Sequence, residues 1–323
     1  MAFIIPYQKY RFTIEAVETL SLPYYKGSTF RGGFGSTFKR IVCALKKKEC
    51  IECMLSAKCI YAYVFETTPY ENSDIMGMKK YEKIPHPFII EPPIDTSRIY
   101  EAGELVAFSL ILIGKATEYL PYFIYTFDEL GKIGIGKYRG KYTLKRVEIN
   151  GEVQYSSENK TIKYIDNQNI SLPEDFLFGR YSEKTITLQF LTPVRISYQR
   201  RLTGDLRFHI LIRNLLRRIN LLHYFHCDKT TPLWDHRYLI NKAEDIVTTK
   251  NILRWWDWQR YSTRQKEKMK MGGVIGQIEY TGDLEPFIPV LKAGEILHVG
   301  KGTSFGLGKY EILPFSNAEM YDK

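Results

Sequence analysis

The sequence predicts an α+β protein of two similar domains. Segments with the period-two alternation of strands flank segments with helical apolar spacing, the same order of elements occurs twice, and each occurrence closes on a glycine-rich turn before a last strand. At 323 residues the chain is also longer than one hydrophobic core usually organises, at ~100–200 residues per domain. Its 44% apolar and 14% aromatic content supplies two cores, and its 25% charged content is that of a folded soluble protein.

The first strand is Tyr10, Phe12, Ile14 and Ala16 alternating with Arg11, Thr13 and Glu15. After Pro23, YYKGSTFRGGFGSTFKRIVCAL sets Phe34, Phe38 and Ile41 at helical spacing behind glycines, which predicts a glycine-rich turn entering a helix. Leu105 to Ile113, interrupted by Ser109, is a buried strand, far short of the ~20 residues that span a bilayer. Leu120, Phe123, Phe127 and Leu130 then recur at helical spacing, with Gly131 placed as the C-cap, and GIGKYRG leads into the strand YTLKRVEI.

The polar stretch at about 151–182 predicts the boundary. The expected division is an N-terminal domain of 1–165, carrying a cysteine-containing insertion at about 43–95, and a C-terminal domain of 166–323. The second domain opens on a strand with Ile186, Leu188 and Phe190 alternating with polar residues. An amphipathic helix follows, with Phe208, Ile212, Leu215, Ile219 and Leu222 on one face, and then VIGQIEY, a short helix around Phe287 to Leu291, a glycine-rich loop and the strand KYEIL. YFIYTFDELGKIGIGKYRGKYTL aligns with FIPVLKAGEILHVGKGTSFGLGKYEI, so the halves read as a duplication. Strand, helix, strand, strand, helix, strand on one antiparallel sheet is the ferredoxin-like, or RRM-like, unit, and the expected fold is two in tandem with a C-terminal glycine-rich loop.

Lysine and arginine number 46 against 36 acidic residues, a net charge of +10, which favours a polyanionic partner through counterion release. The start, MAFIIPYQKYR, lacks the basic and apolar regions of a secretory signal, so a cytoplasmic protein without a membrane partner is expected. Cys43, Cys50, Cys53 and Cys59, at intervals of six, two and five residues, can enclose a structural zinc or an iron–sulfur cluster, the alternative being reduced, partly buried thiols.

The loop HVGKGTSFGLGKYEI places Gly300, Gly302, Gly306 and Gly308 in nine residues, where backbone amides can meet phosphate oxygens beside Lys301 and Lys309; tight turns under a packed helix use glycine in the same way. A P-loop would need glycine at 303 and serine or threonine at 310, where Thr303 and Tyr310 stand. A dinucleotide fingerprint would need glycine at 305, which is Phe305. ATP and NAD sites are thereby disfavoured.

This loop resembles the C-terminal glycine-rich loop of the RAMP-superfamily CRISPR endoribonucleases, which process precursor CRISPR RNA, and LPYYKGSTFRGGFG, PHPFIIEPP, LGKIGIGKYRGKY, RWWDWQRYSTRQ and GGVIG resemble further segments of the same family. The resemblance implies two ferredoxin-like domains and metal-independent cleavage leaving a cyclic 2′,3′-phosphate and a 5′-hydroxyl. Its expected partners are CRISPR repeat RNA or the processed guide RNA and further subunits of a CRISPR effector complex, with the chain a monomer or homodimer. The family often carries a catalytic histidine in its first helix, whereas this chain has none before His86. That departure keeps open a non-catalytic RAMP subunit that binds guide RNA, and a metal-stabilised adaptor with purely structural glycine loops stands as a third reading.

For cleavage through the RNA's own 2′-hydroxyl, His298 beside the loop is the expected acid or base, Lys26 and Arg31 the clamp on the scissile phosphate, and Tyr25 an orienting group. The expected RNA-binding set is Gly300, Lys301, Gly302, Thr303, Ser304, Gly306, Gly308 and Lys309 of the loop with Arg195, Arg213, Arg217 and Arg218. Arg260 and Arg264 join it from RWWDWQRYSTRQKEKMKM, where six basic residues interleave with aromatics. The tryptophans of that segment are expected to face the core at helical spacing.

Overall fold

The computed structural model describes residues 3–46, 49–67, 84–173, 185–230, 234–262 and 267–313. Ile5–Ile170 with Leu221–Thr230 form one compact unit, called N-terminal here, and Met1–Ile4, Ser171–Asn220 and Thr231–Lys323 form the C-terminal one.

The N-terminal unit runs β1 (Phe3–Ala16), the short β2 (Leu20–Ser21), α1 (Gly27–Val42), β3 (Phe88–Glu91), β4 (Ile99–Tyr100), β5 (Leu105–Ile113), α2 (Leu120–Ile133), β6 (Tyr142–Ile149), β7 (Glu152–Ser156) and β8 (Gln168–Leu172). The main sheet has the order β3-β5-β1-β6-β7, with β8 also on β1. β1 is flanked antiparallel by β5, where Phe12 faces Phe108, and by β6, where Phe12 faces Val147, so β3, β5, β1 and β6 make the ferredoxin-like sheet. Phe30, Phe34 and Phe38 of α1 and Phe123 and Phe127 of α2 are fully buried with Phe12. Phe34 stacks on Phe123 at 4.7 Å, and each such ring contributes about 2 kcal/mol through its removal from water.

Two expectations change here. GSTFRGGFG is not a turn, because α1 begins at Gly27. Glycine inside a helix costs about 1 kcal/mol against alanine, and packing explains its use: a Cβ at Gly35 would lie 2.1 Å from Cζ of Phe65. The cap of α2 is Gly134, with φ 86°, rather than Gly131, which sits within the helix where a Cβ would meet the Tyr142 carbonyl at 2.3 Å. Within the polar stretch from 151, β7 and β8 join this sheet.

The C-terminal unit runs β9 (Thr185–Val194), β10 (Ile196–Tyr198), β11 (Arg201–Thr203), α3 (Phe208–His226), α4 (His236–Glu244), β12 (Val247–Asn251), β13 (Arg254–Trp256), β14 (Gln259–Ser262), β15 (Glu267–Lys270), β16 (Gly273–Thr281), α5 (Ile288–Leu297) and β17 (Tyr310–Leu313). The sheet order β12-β16-β9-β17 repeats the ferredoxin-like plan, and β10-β11 and β14-β15 are separate antiparallel pairs. Phe208 meets Tyr280 edge-on at 5.0 Å in the core. The tryptophan segment is strand, not helix: Trp255 pairs opposite Val274 in the ladder and stays 47% exposed.

The cysteines do not form the expected metal set. Among the described residues no three histidine, cysteine, aspartate or glutamate side chains gather as ligands, and all four cysteines are free thiols. Cys50 and Cys59 turn against the aromatic core of the N-terminal unit. Burial, then the nearby Glu66, pushes the Cys50 thiol above its ordinary pKa.

Candidate functional site

The half-buried histidine that precedes β3 meets the first helix. Nη2 of Arg31, on α1, donates to Nε2 of His86 at 2.9 Å. The hydroxyl of Thr67 donates to the Ile84 carbonyl at 3.0 Å. Having one proton, that oxygen can only accept from Nδ1 of His86, 3.3 Å away. The imidazole is thus neutral, with its proton on Nδ1 and its basic nitrogen turned to a guanidinium. Aromatic rings hold both groups: His86 lies against Phe65 and Phe88 at 5.9 and 5.7 Å, and the Arg31 guanidinium sits 4.2 Å from the Phe65 ring centre. Phe65 belongs to a wide helical turn, Ala62–Glu66, and reaches this place because Gly35 leaves room for it.

Other expected catalytic residues are placed differently. Lys26 is fully buried at the start of α1, donating to the Asp95 carbonyl at 2.8 Å and pairing with its carboxylate at 3.3 Å. A buried ammonium needs such partners, so Lys26 is no phosphate clamp. Burial alone would raise the Asp95 pKa, but the Tyr100 hydroxyl and the Lys26 ammonium outweigh it and hold the carboxyl below its ordinary value. Tyr25 is buried, and burial followed by the Glu91 charge keeps its proton on well past the ordinary phenol range. His298 belongs to the C-terminal unit, where it is 0% exposed with Nδ1 3.1 Å from the Leu307 carbonyl; it is not presented to a solvent-borne ligand. His86 stands outside the expected set, although PHPFIIEPP marks it in sequence as a histidine between prolines at the mouth of an apolar strand.

The glycine loop is largely turned inward. The amides of Val299, Lys301, Phe305, Gly306 and Gly308 donate to carbonyls within the unit at 2.7–3.0 Å, and that of Lys309 to the Thr192 hydroxyl at 2.9 Å. Thr303, Ser304, Gly306 and Gly308 are buried, because the one-turn helix Thr303–Phe305 folds in and the Thr192 hydroxyl donates to the Gly306 carbonyl at 2.8 Å. Gly300, Gly302 and Lys309 are half-buried, which leaves Lys301 as the exposed residue among 300–309. The expectation of a phosphate cradle built from this whole loop therefore contracts to its Lys301 end.

Arg213 and Arg217 are exposed on α3. Arg218 is 7% exposed, and its Nε donates to the Leu297 carbonyl at 2.7 Å, satisfying the C-terminus of α5. Burial lowers its pKa to about 9. Arg195 is half-buried and donates to the Gly272 carbonyl. Arg264 lies outside the described residues, as does the side chain of Arg260, whose backbone is in β14.

Two family models cover the chain in succession. An N-terminal domain model, AF_1859_N, matches residues 5–172, and the model of the CRISPR-associated endoribonuclease Cas6 matches residues 188–310. The chain belongs to the CRISPR-associated RAMP endoribonucleases. A relative described as an uncharacterized protein of Archaeoglobus fulgidus is 23% identical over 304 residues, covering 90% of this endoribonuclease and 92% of the relative. Among solved structures, a Cas6 product complex is 15% identical with a TM-score of 0.54, covering 95% of this chain and 100% of its own. Thermus thermophilus Cas6 is 14% identical with a TM-score of 0.52, at 96% and 99% coverage. These structural likenesses carry the fold, two ferredoxin-like domains in tandem. Among the described residues of the endoribonuclease, no helix is long and apolar enough to cross a membrane.

Proposed function

We propose that this endoribonuclease cuts CRISPR repeat RNA using the RNA's own 2′-hydroxyl as nucleophile, with His86 as the base and Arg31 as the phosphate clamp. The contact between Arg31 and His86 carries this reading. A neutral imidazole with an unprotonated Nε2 is the form that can accept a proton, and a guanidinium beside it matches two phosphate oxygens at once. A phosphate that engages Arg31 draws the guanidinium from Nε2. The 2′-hydroxyl then gives its proton to Nε2 as O2′ attacks the adjacent phosphorus, and the phosphorus–O5′ bond breaks. The departing O5′ takes a proton from water and the imidazolium returns its own to solvent, leaving a cyclic 2′,3′-phosphate and a 5′-hydroxyl. No metal enters this sequence.

The net charge of +10 supports an RNA substrate, and the exposed Arg213, Arg217 and Lys301 are its proposed phosphate contacts. Arg217→Glu is expected to weaken repeat-RNA binding and reduce the slope of log affinity against log salt by about 1, measured by filter binding. An unchanged slope removes Arg217 from the interface.

The decisive experiment is single-turnover cleavage of repeat RNA in EDTA, beside the same RNA carrying a 2′-deoxy residue upstream of the cut. Cleavage persists in EDTA and is blocked by the deoxy substitution. His86→Ala lowers the rate by about 10²–10⁴. Wild-type cleavage by His86→Ala rejects the assignment.

A further inference from the structure

The N-terminal unit holds a recess lined by neither Arg31 nor His86. Its volume is about 330 Å³, at the small end of the range of ~300–1,000 Å³ for ligand sites and suited to one flat ring system. Its walls include the buried Tyr10 and Leu120, and its exposed lining residues include Glu118, Lys163, Tyr164 and Asn167. Tyr164 is 72% exposed, a large aromatic face in water of the kind on which unpaired bases stack. Burial, and then the proximity of Tyr164, raises the Tyr10 phenol to about 12, so it remains an O–H donor.

The hydrogen-bonding character of the recess follows from its own bonds. The Thr117 hydroxyl donates to the Gly114 carbonyl at 2.9 Å and so can only accept from Nδ2 of Asn167, 3.0 Å away. Asn167 keeps Oδ1 as an acceptor. Among the described residues Glu118 forms no ion pair. The lining thus offers a carboxylate and an amide oxygen as acceptors and the Lys163 ammonium as a donor. Guanine fits this set, because its N1–H and N2–H are adjacent donors that one carboxylate accepts together while O6 beside them accepts from an ammonium. Adenine presents the lone pair of N1 to the carboxylate. Cytosine offers one donor next to an acceptor, and uracil one donor between two acceptors.

We infer that the recess is a guanine pocket, which receives one unpaired base of the bound RNA. The source of the base rests on the proposed RNA substrate, whereas the pocket's chemistry does not.

Equilibrium dialysis of the full chain against GMP, AMP, CMP and UMP separates the two. GMP is expected to bind at least tenfold more tightly than AMP. Glu118→Gln and Tyr164→Ala, each checked for an unchanged melting temperature, are each expected to weaken GMP at least fivefold. GMP bound no better than AMP overturns the pocket, as does Glu118→Gln with wild-type GMP affinity. If GMP binds as expected and repeat RNA is not retained by filter binding, the pocket stands and the RNA substrate falls. Retention of repeat RNA without nucleotide discrimination has the opposite meaning.

Discussion

The two glycine loops share one frame and use it differently. In the N-terminal unit α2 ends at Gly134, with φ 86° and ψ 158°, and in the C-terminal unit α5 ends at His298, with φ 60° and ψ 173°. Gly136 and Gly300 follow, where a Cβ would meet the carbonyls of Ser21 and Arg195 at 2.2 and 2.5 Å. The next amides, of Lys137 and Lys301, donate to those same carbonyls at 2.9 and 2.7 Å. Each loop closes on Gly-Lys-Tyr, and the tyrosines reach back: the Tyr142 hydroxyl donates to Phe127 at 2.8 Å and that of Tyr310 to Leu291 at 2.6 Å. The difference lies between. The N-terminal loop goes directly through exposed Lys137, Tyr138 and Arg139, whereas the C-terminal one inserts the buried turn Thr303–Phe305. Glycine content alone therefore marks the frame. Which atoms a loop shows to solvent is set by the residues between the glycines.

The largest expected effect breaks the frame itself. Gly308→Ala would set a Cβ 1.8 Å from the Val299 carbonyl at φ 74°, and is expected to destabilise the protein by about 3 kcal/mol or more, read by denaturant unfolding. Gly140→Ala, 2.4 Å from the Thr19 carbonyl, follows closely if the two frames are equivalent. A cost below about 1 kcal/mol for either ends the equivalence.

A smaller effect tests the position at which the loops diverge. His298 occupies backbone that glycine holds in the other loop, so His298→Ala is expected to cost about 2 kcal/mol through lost ring packing and the lost contact to Leu307. His298→Gly recovers about 1 kcal/mol of that by relieving strain. Both variants cleave RNA at a rate within about twofold of wild type if His86 is the base; a loss near 10² returns His298 to the chemistry.

The smallest effect concerns the tyrosines. Tyr142→Phe and Tyr310→Phe each take the second, hydroxyl donor from one helix carbonyl, at about 1 kcal/mol. Equal shifts in melting temperature extend the likeness to this bond, and a shift in one variant alone limits it.

Much of this was legible in the sequence. Period-two and helical spacing located β1, α2, β9 and α3, an apolar run located β5, and the similar spacing of glycines after two of the helices pointed to the duplication. Burial of polar groups was not legible. Lys26 and Arg31 look alike as cations near the first helix, yet one is enclosed with Asp95 and the other meets a histidine 55 residues away. The glycines of α1 suggested a turn because their reason, the Phe65 ring, comes from a distant segment. Arg217 and Arg218 are neighbours in sequence, and the 100° step of a helix sends one to solvent and the other to the end of α5.

Thr67 has a consequence out of proportion to its size. Its single hydroxyl proton goes to Ile84, which makes the path from Arg31 through His86 to the main chain one-way. Valine would fill nearly the same space but say nothing about which ring nitrogen carries hydrogen. Arg31, which has only donors, requires a bare Nε2 at one end of the ring, and a β-branched alcohol with no acid–base chemistry near neutral pH receives the matching Nδ1–H at the other, its own proton being spent on a carbonyl at the mouth of a strand.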